Sequence, residues 1–152
     1  MRSKLTFALA ALALMMPVLA SAHCQIPCGI YDDPARFTLL REDITTIEKS
    51  MKSITDLSAA GDKNFNQIVR WIDNKEEHAQ KFMDIVTDYF MAQRIKPADP
   101  ADAAAHADYL KKVELLHNML VYAMKCKQTT DLANTDKLKT LVDDFEKLYM
   151  GQ

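Results

Sequence analysis

Residues 33–61 read DPARFTLLREDITTIEKSMKSITDLSAAG, and this segment sets the fold class. Its apolar residues recur at alternating steps of three and four: Phe37, Leu40, Ile44, Ile47, Met51 and Ile54. Such a heptad pattern is typical of an amphipathic helix that packs along its whole length. Asp33 and Pro34 offer an N-cap followed by proline in the first turn, and Ala60-Gly61 offers a stop. The segment therefore predicts a long helix.

Three further amphipathic segments follow. A second apolar face runs from about residue 63 to residue 95 and ends at the proline-rich break 97–100. A third covers residues 109–123, and a fourth covers residues 138–149, with Thr135 as its predicted N-cap. No strand-like alternation of useful length competes with these patterns. The sequence therefore predicts an all-α fold, an up-down-up-down four-helix bundle.

The composition narrows the class of protein. A chain of 152 residues is long enough for one domain with a substantial core. Only 3 Gly and 5 Pro argue against a disordered chain or a turn-rich β-sandwich. A formal net charge of −2 gives no basic surface for nucleic acid, so we expect no nucleic-acid partner. The 3 cysteines are an odd number, which excludes a closed set of disulfides.

Residues 1–22 have the pattern of a secretory signal peptide. Arg2 and Lys4 precede an apolar run, and the segment ends in Ala20-Ser21-Ala22, an A-x-A cleavage site. The apolar run is shorter than the ~20 residues of a membrane-spanning helix. We therefore expect cleavage after Ala22, no membrane association afterwards, and a mature periplasmic or extracellular domain of residues 23–152. Cleavage would make His23 the free amino terminus.

The new amino terminus carries metal-binding chemistry. His23 and Cys24 would offer an amine, an imidazole, a backbone amide and a thiolate, and Cys28 would return a second thiolate. A square set of two nitrogens and two sulfurs suits Ni(II) or Cu(II), whereas zinc prefers a tetrahedron. From the spacing alone, a Cys24–Cys28 disulfide in an oxidising compartment is equally open.

The pattern His-Cys-x-x-Pro-Cys-Gly-x-Tyr directly after a processing site resembles the nickel hook of nickel-containing superoxide dismutases. We call residues 23–31 the hook. The resemblance implies one nickel ion per subunit, held by the amine and imidazole of His23, the amide and thiolate of Cys24 and the thiolate of Cys28. It implies disproportionation of superoxide to dioxygen and hydrogen peroxide by Ni(II)/Ni(III) cycling. It also implies a hexamer of four-helix subunits.

The same resemblance suggests two catalytic tyrosines. Tyr31 corresponds to the hook tyrosine that guards the open face where superoxide approaches. The run Asp88-Tyr89-Phe90 resembles a family segment whose tyrosine lies close to the hook. The chain departs from the family pattern at Gln25, where an Asp is usual, and at Asp33, because Asp32-Asp33 adds a residue before the proline.

Other candidate residues have more ordinary interpretations. Partners for the His23 imidazole have no local motif, and the first two helices offer Glu42, Glu48 and Arg70. We expect His78, His106 and His117 to be ordinary helix residues and Cys126 to be a buried free thiol. Trp71 and Arg94 lie off the main apolar stripe of the second helix and could contact another subunit.

Two alternative functions are also consistent with these sequence features. One is an exported, non-enzymatic helical bundle whose amino terminus binds nickel or copper. The other is a helical interaction module closed by a Cys24–Cys28 disulfide.

Overall fold

The structure is a computed structural model in which residues 27 and 29–151 are described. The predicted signal peptide and the predicted ligands His23, Cys24 and Cys28 lie outside the described residues. The predicted all-α four-helix bundle is confirmed. The helices are α1 (Asp33–Ala59), α2 (Phe65–Asp84, continuing as a π-helix over Ile85–Arg94), α3 (Ala103–Gln128) and α4 (Ala133–Met150), with a short 3₁₀ turn at Asp62–Asn64.

Side-chain contacts between helices fix an antiparallel register. Between α1 and α2, Asp43 meets His78 and Ser50 meets Asn74. Between α1 and α4, Glu48 meets Lys139. At the α2–α3 contact, Lys75 lies level with Cys126 near the end of α3. Neighbouring helices therefore run in opposite directions, as short connections require.

The heptad stripe of α1 forms the centre of the core. Phe37, Leu40, Ile44, Ile47 and Met51 are all buried, and Ile54 is half-buried. Each fully buried large apolar side chain contributes about 1.5–3 kcal/mol relative to an exposed one. Facing them are buried apolar residues of the other three helices: Phe82, Val86, Phe90, Leu116, Met119, Leu138, Val142 and Phe145.

The helix starts differ from the predicted ones at two positions. Asp32, not Asp33, caps α1, because its Oδ1 accepts a hydrogen bond from the backbone N–H of Ala35 at 3.0 Å. Asp33 is the first helical residue, and its carboxylate is free for another role. In α4 the helix begins at Ala133, so Thr135 is buried inside the first turn and donates to the carbonyl oxygen of Leu132 at 2.7 Å.

The last 10 residues of the second helix are π-helical. The backbone N–H of Ile95 donates to the carbonyl oxygen of Phe90 at 2.9 Å, a bond that spans five residues. The apolar periodicity predicts a helix here and does not distinguish its π form. π-Helical turns are frequently found at functional sites.

Across the described part of the chain, no helix is both long enough and apolar enough to cross a membrane.

Candidate active site at the base of the hook

A single carboxylate, Asp33, joins three elements where the hook meets the bundle. Its Oδ1 accepts hydrogen bonds from the Tyr89 hydroxyl at 2.6 Å and from Arg94 Nε at 2.9 Å. Its Oδ2 accepts from Arg94 Nη2 at 2.6 Å and from the Tyr149 hydroxyl at 3.0 Å. We call these four residues the Asp33 cluster. It ties the start of α1 to the π-helix and to α4.

The cluster is mostly shielded from water, with 15% of the Asp33 side chain and 28% of the Arg94 side chain exposed. Burial raises the pKa of Asp33, but hydrogen bonds from Arg94, Tyr89 and Tyr149 outweigh it and leave that pKa below its ordinary value. The hydrogen bond to Asp33 raises the pKa of Arg94. Burial, helped by Asp33, raises the pKa of Tyr89 to about 12. At neutral pH the cluster therefore holds a carboxylate, a guanidinium and neutral phenols.

The π-helix explains why Tyr89 and Arg94 reach the same carboxylate. In an α-helix of 3.6 residues per turn, residues five apart point in directions roughly 140° apart. In a π-helix, hydrogen bonds between residues five apart bring such residues back to one side. This local geometry places Arg94 beside Tyr89, although the 3.6-residue pattern puts it off the stripe.

The structure brings the two predicted catalytic tyrosines together. The ring centroids of Tyr31 and Tyr89 are 5.9 Å apart, with an interplanar angle of 74°. The Cζ of Arg94 lies 4.5 Å from the Tyr31 centroid, and the Cζ of Arg36 lies 4.9 Å from the Tyr89 centroid. Two guanidinium groups thus flank two rings, in the order Arg36, Tyr89, Tyr31, Arg94. We call this group the arginine–tyrosine stack.

Gly29, in the described part of the hook, has the backbone conformation of a tight turn. Gly29 has a φ of 77°, in the left-handed region that favours glycine. Tyr31 is 40% exposed, so part of this residue is accessible to small solutes. Within the described residues, no three His, Cys, Asp or Glu side chains converge to hold a metal ion. If the chain is cleaved after Ala22 as the sequence predicts, the hook would supply an amine, an amide and two thiols, a donor set that fits nickel.

The three candidate partners of the His23 imidazole lie away from this site. Glu48 lies in the middle of α1, where it accepts a hydrogen bond from Lys139 at 2.6 Å. Glu42 is exposed on the same helix, and Arg70 is exposed near the start of α2, at the opposite end of the bundle from Asp33. None of them belongs to the Asp33 cluster.

Sequence reasoning missed four residues of the site: Asp33, Arg36, Arg94 and Tyr149. Asp33 was expected to cap α1, and Arg94 was considered for a subunit contact, whereas these two residues pair with each other. The sequence contains one indication of the role of Asp33. Two aspartates, Asp32 and Asp33, precede Pro34, whereas a helix start needs only one capping carboxylate. Tyr149 falls on the predicted core face of α4 and gives no separate signal.

The sequence comparisons agree with the geometry. The family model for nickel-containing superoxide dismutase matches residues 18–152. The superoxide dismutase [Ni] of Streptomyces seoulensis is 29% identical over 136 residues, which cover 87% of this chain and 88% of that protein. No solved structure matches the chain. The chain therefore belongs to the nickel-containing superoxide dismutase family and is a nickel-dependent oxidoreductase that disproportionates superoxide.

Proposed function

We propose that the reaction takes place at the hook, with His23, Cys24 and Cys28 as the nickel ligands and with Tyr31 and Tyr89 beside the approach of superoxide. The observation that carries this proposal is the contact of the Tyr31 and Tyr89 rings, whose centroids are 5.9 Å apart. Tyr31 follows the proposed ligand Cys28 by only three residues in the sequence, which supports a role for this ring pair next to the nickel site.

The ligands follow from the chemistry of the donors. When bound, nickel supplies one-electron redox chemistry, alternating between Ni(II) and Ni(III). Thiolate and amide donors are rich in electrons and favour the higher oxidation state. The amine of His23 exists only after removal of residues 1–22. We therefore propose that these residues are a signal peptide and that the mature enzyme is periplasmic or extracellular.

The Asp33 cluster has a positioning role in this proposal. Two superoxide ions and two protons yield one dioxygen and one hydrogen peroxide. Tyr89 donates a hydrogen bond to Asp33, and its pKa of about 12 keeps its hydroxyl protonated at neutral pH. This hydrogen bond fixes the position of the Tyr89 ring, which contacts Tyr31. The exposed Tyr31 lines the entrance and limits access to small anions.

We further propose that the protein is a homo-oligomer, with a hexamer as the form that the family resemblance implies. One surface supports association. Phe65, Val69 and Ile72 are 66%, 54% and 39% exposed and lie along one side of α2. Aligned apolar side chains of this kind on a helix typically mark a contact with another chain.

The test is nickel uptake and superoxide consumption by a mature chain that begins at His23. Cys24→Ser should abolish stoichiometric nickel binding, because it removes a thiolate from the proposed ligand set, and should leave the helical circular dichroism intact. Cys126→Ser is the matched control, since Cys126 is buried in the bundle and should not affect nickel uptake. Retention of nickel by Cys24→Ser would contradict the proposed ligands.

A second comparison tests whether catalysis requires the hook. A nickel-loaded mature chain should consume superoxide faster than an equal concentration of free nickel salt. A chain with extra residues before His23 has no terminal amine at that position and should be inactive. Equal rates for the mature chain and the free salt would overturn the proposed role of the hook.

A further inference from the structure

The arginine–tyrosine stack has one charge that the bundle does not neutralise. Arg41 and Arg94 pair with carboxylates, whereas Arg36 makes no ion pair within the described part of the chain. Its Nε is buried and has no hydrogen-bond partner among the described residues. A guanidinium in this setting retains its positive charge and its in-plane donors.

The undescribed side chains outside the helices do not supply the missing carboxylate. Residues 1–26 and Cys28 contain no Asp or Glu side chain. Every acidic side chain of the protein lies between Asp32 and Glu146, and the one whose side chain is not described, Asp62, follows the opposite end of α1. No carboxylate side chain of the hook can therefore neutralise Arg36 beside Tyr89.

The positive charge of Arg36 contrasts with the net negative charge of the protein. Removal of Arg2 and Lys4 with the signal peptide would change the formal net charge from −2 to −4. A net negative charge disfavours, on average, the approach of an anion to the protein. Arg94, the other guanidinium of the stack, is paired with Asp33 and carries little net charge outward. Arg36 is thus the uncompensated cation of the stack.

We propose that Arg36 forms a binding site for small monovalent anions at the Tyr31–Tyr89 pair and that it attracts superoxide to the proposed nickel centre. The guanidinium carbon lies 4.9 Å from the centroid of the Tyr89 ring, and Nε has no hydrogen-bond partner among the described residues, so this N–H donor can bind an anion beside the ring. The part concerning superoxide rests on the proposed approach at this face. The part concerning anion binding needs only the bundle.

The first test measures the rate constant of dismutation at several ionic strengths. Arg36→Gln should lower kcat/KM roughly tenfold at low salt and should flatten its salt dependence, because steering by a local charge is screened by ions. Arg36→Lys keeps the charge and should retain most of the salt dependence. Arg70→Gln is the matched control, because this exposed arginine lies at the opposite end of the bundle.

The second test needs neither nickel nor activity. Azide, a small monovalent anion, is titrated into the reduced, nickel-free full chain carrying ¹³C-labelled tyrosine. The ring signals of Tyr31 and Tyr89 should shift saturably in the wild type and in Arg70→Gln, and not in Arg36→Gln. Circular dichroism and the azide response of Arg36→Lys, which should be weaker but present, distinguish a lost site from a misfolded chain.

The outcomes separate this inference from the function proposed above. If the wild type is active and Arg36→Gln has the same rate and salt dependence, Arg36 does not attract the substrate. If azide shifts the tyrosine signals equally with and without Arg36, the anion site itself is wrong. If the wild type is inactive, the proposed hook chemistry fails, and the azide titration alone decides on the anion site.

Discussion

Each end of the bundle shields a charged side chain from water, but the two ends stabilise that charge in different ways. At the hook end, the Asp33 carboxylate accepts hydrogen bonds from three side chains of two other elements. At the far end, the Lys75 ammonium, only 5% exposed, donates to the carbonyl oxygens of Cys126, at 2.8 Å, and of Lys127. The Asp33 carboxylate organises side chains, whereas the Lys75 ammonium caps the backbone of α3 and pairs with one carboxylate, that of Glu76, at 3.1 Å.

The difference separates a site from a structural cap. Lys75 satisfies carbonyl groups that any helix end presents, and its positive charge complements the helix dipole. The identity of the side chains around it matters little for that role. Asp33 instead fixes the positions of Tyr89 and Arg94, both of which contact Tyr31. We therefore expect changes at both ends to reduce stability, and changes at the hook end alone to alter the candidate site.

Replacing Asp33 should have the largest effect. Asp33→Ala leaves a mostly buried guanidinium and two tyrosine hydroxyls without their acceptor. We expect the free energy of unfolding to fall by about 3 kcal/mol, since the pair is partly exposed and breaking a fully buried pair costs about 3–5 kcal/mol. Urea denaturation at one fixed protein concentration measures this loss.

The same variant has a defined pH dependence and a control. Because the folded state lowers the pKa of Asp33, its stabilising effect is present above the ordinary value of 3.8 and is lost as the pH falls through the lower folded value. Asp143→Ala is the control, because Asp143 is 65% exposed in its pair with Arg41 and should contribute less than about 1 kcal/mol. If Asp33→Ala and Asp143→Ala lowered the free energy of unfolding equally, Asp33 would stabilise the fold no more than an exposed surface carboxylate does.

At the far end, Lys75→Met should have a smaller effect. It leaves the carbonyl groups at the end of α3 without their donor while keeping most of the buried apolar volume. We expect a loss of about 1–2 kcal/mol in urea denaturation. Lys63→Met, at an exposed position, should change little. A change in kcat/KM of the nickel-loaded Lys75→Met enzyme would show that the two ends are coupled.

The smallest expected effect is on the titration of Tyr89. Its pKa of about 12 lies above the ordinary value of 10.0, so this group contributes stability that is fully present below pH 10.0 and is lost as the pH rises through about 12. Asp33→Asn removes the anionic acceptor and should lower this pKa toward 10.0. The shift should be partial, because burial is the larger cause and remains.

Ultraviolet titration of tyrosinate in the nickel-free chain measures this shift, with Tyr89→Phe identifying the signal. Lys75→Met should leave the titration of Tyr89 unchanged, which makes it the matched control from the far end. An Asp33→Asn chain whose Tyr89 still titrates near 12 would mean that the carboxylate does not act on this hydroxyl.

Much of the fold could be predicted because burial follows periodicity. The heptad stripe from Phe37 to Met51 is buried as expected, and so is Cys126, whose pKa burial raises to about 11. Individual helix starts could not be predicted as well. Both Asp32 and Asp33 are suitable caps by residue type, and only the course of the backbone decides which of them bonds to Ala35.

The candidate site divides in the same way. The hook pattern, with its cysteines, glycine and Tyr31, is local in sequence and could be recognised as a unit. Tyr89 could be suggested by resemblance, but its contact with Tyr31 joins residues 58 positions apart and required the structure. The donor set of the hook stays a prediction, since His23, Cys24 and Cys28 lie outside the described residues.

The sequence by itself determined the four helices and predicted the donor chemistry of the amino terminus, because both depend on residue types at short, regular spacings. The tertiary structure alone decided that Asp33 binds Arg94, that both arginines flank the tyrosines, and that Arg36 keeps its charge. The physical reason is geometric. A π-helix changes which residues share a face, and the fate of a charge depends on the carboxylates that folding brings within reach.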